Sequence, residues 1–334
     1  MDVYCEKMVF SYISHLQNST IITGSIHLEV PPLKTHFEMK PVAPFRLDLT
    51  AWTLRRRPEN IVDIWKDERY SRVLLIRDRP VLVEVAQTGP ADSPVLAVTA
   101  SCPPALKEPV AAALKWILST QVDLTPFYRL ADRHPEIKSL AERFRGVKPP
   151  RFSSLFEALV NGIACQQLSL AVGITLLNRL AIHYGPALGE RRALPRPADL
   201  AEVKESALLK LGFSRSKSRS LIGVSTQIAR KVFNPDELFH LEDPTEIHDR
   251  LDALPGVGPW TAQYAMLRGM GALSVFPGKD VGARRNISRF IRSGHPVSDE
   301  EISRLMKKWH PFAGMIYFHL LLSSLAERGW IGQV

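Results

Sequence analysis

Cysteine is scarce. Cys5, Cys102 and Cys165 are the three in a chain of 334 residues, and no two of them form a CxxC pair. On ligand count this excludes a paired-cysteine zinc site and a four-cysteine iron–sulfur cluster. An odd, scattered set also argues against a disulfide framework and suits a reducing cytoplasm. Long apolar runs are missing as well. None approaches the ~20 residues of a membrane span, so no membrane partner is expected. The first residues, MDVYCEKMVFSYISHLQN, interrupt their apolar positions with polar ones, which is not a signal-peptide layout. There is no internal repeat and no low-complexity tract.

The chain does carry an ordinary globular mixture, 45% hydrophobic and 23% charged, with a formal net charge of +9. That balance favours a polyanionic partner, nucleic acid ahead of a membrane surface. Solvated Lys and Arg faces give the same sum, so charge alone decides nothing. The length suffices for two or three compact units with a sizeable core.

Residues 1–40 read as an N-terminal extension, loosely ordered or adding one edge strand through SIHLEV. From Phe45 the alternation in FRLDLTAW predicts a strand, and PENIVDIWKD a short helix. YSRVLLIRD, PVLVEVAQT and PVLAVTAS follow as three strands separated by turn residues, which implies an antiparallel sheet. PALKEPVAAALKWILST is an amphipathic helix that packs on it. The expectation is α+β: a sheet domain over 41–125, then a mostly helical domain over 126–334. In the second part, Ser153 or Ser154 with Glu157 forms a capping box before a long helix, break and helix. Asp243, Pro244 and Glu246 give strong start signals for a later helix.

That later helix ends at LPGVG, and a new one begins at Pro259. Gly256 and Gly258 remove side chains where the backbone turns and let an anion reach free N–H groups at the next helix start. An ordinary helix–turn–helix corner accounts for the same glycines. Trp260 and Tyr264 are four apart and share a face, as core aromatics or as the lining of a base-stacking cleft. Arg268 continues that face and meets phosphate or caps the helix end. Asp280 stands in the N-cap position of the following helix. A cap role is sufficient for it, yet a carboxylate there, favoured by the helix dipole, also suits stabilisation of an oxocarbenium-like sugar. Arg284 and Arg285 add positive charge in the next turns.

The stretch LPGVGPWTAQYAMLRGMGALSVFPGKD resembles the helix–hairpin–helix, Gly/Pro-rich loop and catalytic Asp of the base-excision DNA glycosylase superfamily. WTAQYAMLRG followed by an Asp is similar to the alkylation-repair branch, DNA-3-methyladenine glycosylase II. NGIACQQLS resembles that family's segment entering the minor groove, and the likeness covers about residues 41–330. It implies a two-subdomain helical core and Asp280 as catalytic carboxylate. It implies Trp260 and Tyr264 as walls around the flipped base. For the further aromatic that the family's pocket commonly carries near the C-terminus, the run WHPFAGMIYFHLLLSSL offers Phe312, Tyr317 and Phe318, while Leu321 or Leu322 stands at the aligned position, so the base pocket is expected to include Phe312 and Leu321. Gln166, Gln167 and Leu168 would meet DNA, with Gln167 or Leu168 as the wedge that fills the gap. Backbone carbonyls of Asp252, Leu254 and Val257 would hold a structural monovalent cation, Na or K, and the chemistry needs no cofactor. The superfamily's lyases place a Lys where this chain has Trp260, so a monofunctional enzyme is implied. The substrate is then double-stranded DNA with an alkylated purine, met by a cytoplasmic, nucleoid-associated monomer. The alternatives are a glycosylase for oxidised or deaminated bases, or a non-catalytic DNA-binding protein that kept the hairpin.

Overall fold

The computed structural model describes residues 33–332. The reading of SIHLEV therefore lies outside the described residues. Those residues belong to one compact unit. It opens with β1 (Thr35–Met39), followed by α1 (Leu47–Arg55), β2 (Ile64–Lys66), β3 (Arg69–Ile76), β4 (Arg79–Gln87), β5 (Leu96–Ala100) and α2 (Lys107–Ile117). The five strands make an antiparallel sheet in the order β1-β5-β4-β3-β2. The α+β expectation holds. The three central strands lie where alternation puts them, with Val81, Val83 and Val85 of β4 and Leu96, Val98 and Ala100 of β5 turned into the core.

Two local expectations are corrected. FRLDLTAW forms most of a helix, not a strand. Leu47, Ala51 and Leu54 face the cluster that contains the sheet, while Leu49 and Trp52 face a second cluster of helices. Burial on opposite sides erases the single apolar stripe by which a helix is recognised. PENIVDIWKD is turns followed by β2. The Asn60 side-chain carbonyl accepts the N–H groups of Val62 at 2.8 Å and Asp63 at 3.1 Å, which competes with helical bonding.

The rest is helical apart from the two-residue strands β6 (Ala187–Leu188) and β7 (Arg191–Arg192). The helices are α3 (Thr125–Asp132), α4 (Pro135–Arg143), α5 (Leu155–Cys165), α6 (Leu170–Tyr184), α7 (Pro197–Leu200), α8 (Glu205–Lys210) and α9 (Arg215–Ala229). They continue as α10 (Pro244–Asp252), α11 (Pro259–Ala265), α12 (Val281–Phe290), α13 (Asp299–Lys308) and α14 (Ala313–Glu327). Ser154 caps α5 by accepting the Glu157 N–H at 3.1 Å, and Glu157 reaches back to the Ser153 N–H at 3.1 Å. Glu157 also pairs at 3.0 Å with Arg72 of β3, which binds Asp63 at 3.1 Å, so a buried ion network ties the sheet to the first long helix. Asp243 caps α10 through the Thr245 N–H, but Glu246 pairs with Arg250 instead of completing a box. No helix among the described residues is long and apolar enough to cross a membrane.

Candidate active site

The hairpin between α10 and α11 needs glycine at one of its two glycine positions. Gly256 has φ +70°, and a Cβ there would fall 1.8 Å from Ser220 Oγ on α9. Gly258 is extended at φ −100° and caps α11, and a Cβ on it meets nothing within 4 Å. Pro259 opens α11, so one of the unpaired N–H groups of a helix start is already absent. Among the described residues no acceptor meets the N–H of Gly258 or Trp260. The first turn of α11 is thus open to an anion.

Asp280 faces this turn across a loop. It caps α12, with Oδ1 accepting the Ala283 N–H at 2.8 Å. Oδ2 accepts the Trp260 indole N–H at 3.2 Å and the Tyr317 hydroxyl at 3.3 Å. One carboxylate therefore joins three helices: α12 through its cap, α11 through Trp260 and α14 through Tyr317. Asp280 is half-buried.

Trp260 stacks on Tyr264, with ring centroids 5.4 Å apart and planes inclined by 24°. Tyr264 is buried, and its hydroxyl accepts Arg56 Nη1 at 3.1 Å. Arg56 also donates to Asn161 Oδ1 at 2.6 Å and lies over the Phe152 ring at 5.3 Å. Burial raises the Tyr264 phenol above its usual range, against the opposing pull of Arg56 and Arg268. Burial and then the Asp280 charge hold the Tyr317 phenol well above its own. Both therefore keep their protons at neutral pH. Tyr317 is a permanent donor to Asp280.

The segment between α5 and α6 lies against the hairpin. Gln166 Nε2 donates to the Gly256 carbonyl at 2.9 Å and to Thr261 Oγ1 at 2.8 Å. Gln167 follows with φ +53°, and Gln167 and Leu168 are both exposed at the tip.

Gly256, Gly258, Trp260, Tyr264, Gln166 and Asp280 are thus brought to one place. Arg268 is not on the surface. A π-helical turn, Met266–Met270, departs from 3.6 residues per turn, and Arg268 is 1% exposed. There it donates to the Thr53 carbonyl at 3.0 Å and lies against Phe152 and Phe318. Phe312 does not face Asp280; its ring meets Phe127 at 6.0 Å in the second cluster. The aromatic at the carboxylate is Tyr317, one turn before the half-buried Leu321. Arg284 is held by Asp299 and donates to the Val297 carbonyl at 2.7 Å, whereas Arg285 is exposed. Sequence reasoning missed Arg56 and Asn161 entirely. Arg56 is the middle of a Pro-punctuated RRR run with no periodic signal to single it out. A cavity of about 840 Å³ between Trp116, Phe233, Phe239 and the start of α5 contains none of the Asp280 cluster.

Residues 160–312 match the family described as HhH-GPD superfamily base excision DNA repair protein. A DNA-3-methyladenine glycosylase of Bacillus subtilis is 30% identical over 215 residues, 60% of this chain and 68% of that protein. The fold is similar to that of a 3-methyladenine DNA-glycosylase from Archaeoglobus fulgidus, with a TM-score of 0.75 at 22% identity over 86% of this chain and 97% of the other. It is also similar to a Clostridium acetobutylicum 8-oxoguanine glycosylase/lyase in complex with double-stranded DNA, with a TM-score of 0.69 at 18% identity over 88% and 98% of the two chains. With its glycine hairpin, stacked aromatic pair and capping carboxylate, the chain belongs to the helix–hairpin–helix superfamily of base excision DNA repair proteins.

Proposed function

We propose that this protein is a monofunctional DNA glycosylase that flips alkylated purines, 3-methyladenine among them, and hydrolyses their N-glycosidic bond. The observation that carries the reading is the Asp280 carboxylate, fixed by the Ala283 and Trp260 N–H groups and the Tyr317 hydroxyl beside the stacked Trp260–Tyr264 pair. A base extruded from the duplex would stack near these rings with its sugar against Asp280. The bond between C1′ and the base nitrogen breaks with its electron pair leaving on the base. Positive charge then develops at the sugar, and a carboxylate held in advance stabilises it without reorganising. Water supplies the new C1′ oxygen, and its proton passes to Asp280 or solvent. An alkylated purine is already cationic, so it leaves as a neutral base without a general acid, and an aromatic face favours a cation. Trp260 stands where the superfamily's lyases carry Lys, which supports hydrolysis over Schiff-base chemistry.

Gly256 and Gly258 would grip a phosphate, Arg284 and Arg285 would add charge, and Gln167 or Leu168 would fill the space left by the flipped nucleotide. Asp252 and Val257 carbonyls receive no N–H among the described residues, while the Leu254 carbonyl takes only the Val257 N–H at 3.0 Å. These oxygens fit a hard monovalent cation, which would supply charge toward the phosphate and no chemistry. The protein would act as a monomer on damaged double-stranded DNA at the nucleoid of the cytoplasm. One observation favours a second reading, excision of neutral oxidised or deaminated bases: the buried cations Arg56 and Arg268 lie behind Tyr264. Competition between duplexes carrying each lesion separates the two.

The test is Asp280→Asn. Asn is a good N-cap, so the fold should hold. Base release from methylated DNA should fall by roughly 10²–10³-fold while affinity for the DNA survives. Release at the wild-type rate would sink the assignment.

A further inference from the structure

The last turn of α5 ends without the glycine that commonly closes a helix. Its carbonyls are satisfied in another way. Gly162 accepts the Gln166 N–H at 3.0 Å, and Cys165 accepts that of Leu168 at 3.3 Å. The remaining acceptors meet a side chain from a different helix. Lys217 Nζ donates to the Ile163 carbonyl at 3.0 Å, to Ala164 at 2.8 Å and to Gln166 at 2.7 Å. All three ammonium protons are thus used on backbone oxygens of one turn. The charge also sits at the negative end of the α5 dipole, which offsets its partial burial. Lys217 is itself fixed at the start of α9, where Ser214 Oγ accepts its N–H at 3.3 Å.

This clamp lies directly before Gln167, a non-glycine residue at φ +53°. A left-handed conformation costs such a residue free energy and persists only where its surroundings impose it. On the Gln166 side the surroundings are the Lys217 bond to the carbonyl and the two side-chain bonds to Gly256 and Thr261. The consequence is that Gln167 and Leu168 project from a rigid base into solvent, next to the hairpin.

We infer that Lys217 is a positioning residue for DNA interrogation. It holds the Gln167–Leu168 tip in the geometry that enters the gap left by an extruded nucleotide. The inference rests on the wedge reading above but not on the identity of the excised base.

The experiment uses Lys217→Met in the full chain, with duplexes that are undamaged or carry a stable abasic-site analogue. A gap needs filling only in the second. The wild type should prefer the abasic duplex, and Lys217→Met should lose about tenfold of that preference while binding undamaged duplex within about twofold of wild type. Base release from methylated duplex should fall by a similar factor, with release from methylated single strands unchanged. Adding Lys217→Met to a Gln167→Ala/Leu168→Ala variant should change the preference no further, because both act through one tip. An unchanged preference overturns the inference, and so does an equal fall on both duplexes, which marks a general loss of fold. A wild type that prefers abasic duplex yet releases no alkylated base overturns the glycosylase reading and leaves this inference standing.

Discussion

At the scale of single residues, one polar group can hold several elements together. Asp280 caps α12 with one oxygen and gathers Trp260 and Tyr317 with the other. His319, about two turns before the end of α14, shows a purely structural polar group. Its Nδ1–H donates to the Met315 carbonyl at 2.7 Å, its Nε2 is buried without a partner, and Phe127 and Phe144 pack around it. Burial brings its pKa down from 6.5 to about 4. The folded protein therefore binds this proton less readily than the unfolded chain. His319 costs no stability above pH 6.5, and stability is lost as pH falls from there toward 4, by about 3 kcal/mol in all. Urea unfolding across that window should show the loss in the wild type and a flatter profile in His319→Leu. Parallel profiles would remove His319 as the cause.

At the scale of elements, the hairpin separates two jobs that glycine performs. Gly256 is required by the fold, because φ is +70° and Ser220 of α9 occupies the place of a side chain. Gly258 is required by neither conformation nor packing. Gly256→Ala should therefore lower stability by ~2 kcal/mol or more. Gly258→Ala should melt as the wild type does but bind DNA about tenfold more weakly, because its methyl group intrudes where a phosphate oxygen approaches. Thermal midpoints and fluorescence anisotropy measure the two effects. Wild-type affinity in Gly258→Ala would remove the phosphate from this position. The turn after α11 makes a second point about elements. Its π geometry takes Arg268 off the surface and into a buried layer with Arg56 and Phe152.

At the scale of the whole molecule, a net charge of +9 meets a polyanion through a backbone that reads no sequence. Each phosphate contact releases counterions, so log affinity should fall linearly with log salt, by about 0.9 per contact. Three to five contacts would give a slope of roughly −3 to −5 in titrations of duplex DNA. A flat affinity would contradict the grip by hairpin, Arg284 and Arg285. The buried network of Asp63, Arg72 and Glu157 belongs to this scale too, since it fixes the sheet against the helix that carries Gln166.

The hairpin, the aromatic pair, the capping carboxylate and the three central strands were legible along the chain. Each is a local matter: glycine and proline at a turn, aromatics four apart on one helix, an Asp before an apolar run, strict alternation. Local physics also misled at α1, where burial on two sides leaves no stripe to read, and at Arg268, where spacing assumed a regular helix. What meets Asp280 from the last helix depends on how that helix packs. Phe312 and Tyr317 are equally plausible as text, but α14 turns Tyr317 to the carboxylate and packs Phe312 on Phe127. Arg56 reaches Tyr264 from 208 positions away, and Lys217 reaches the Gln166 turn from 51. Such pairings are set by how separate layers pack, and no periodicity along the chain records them.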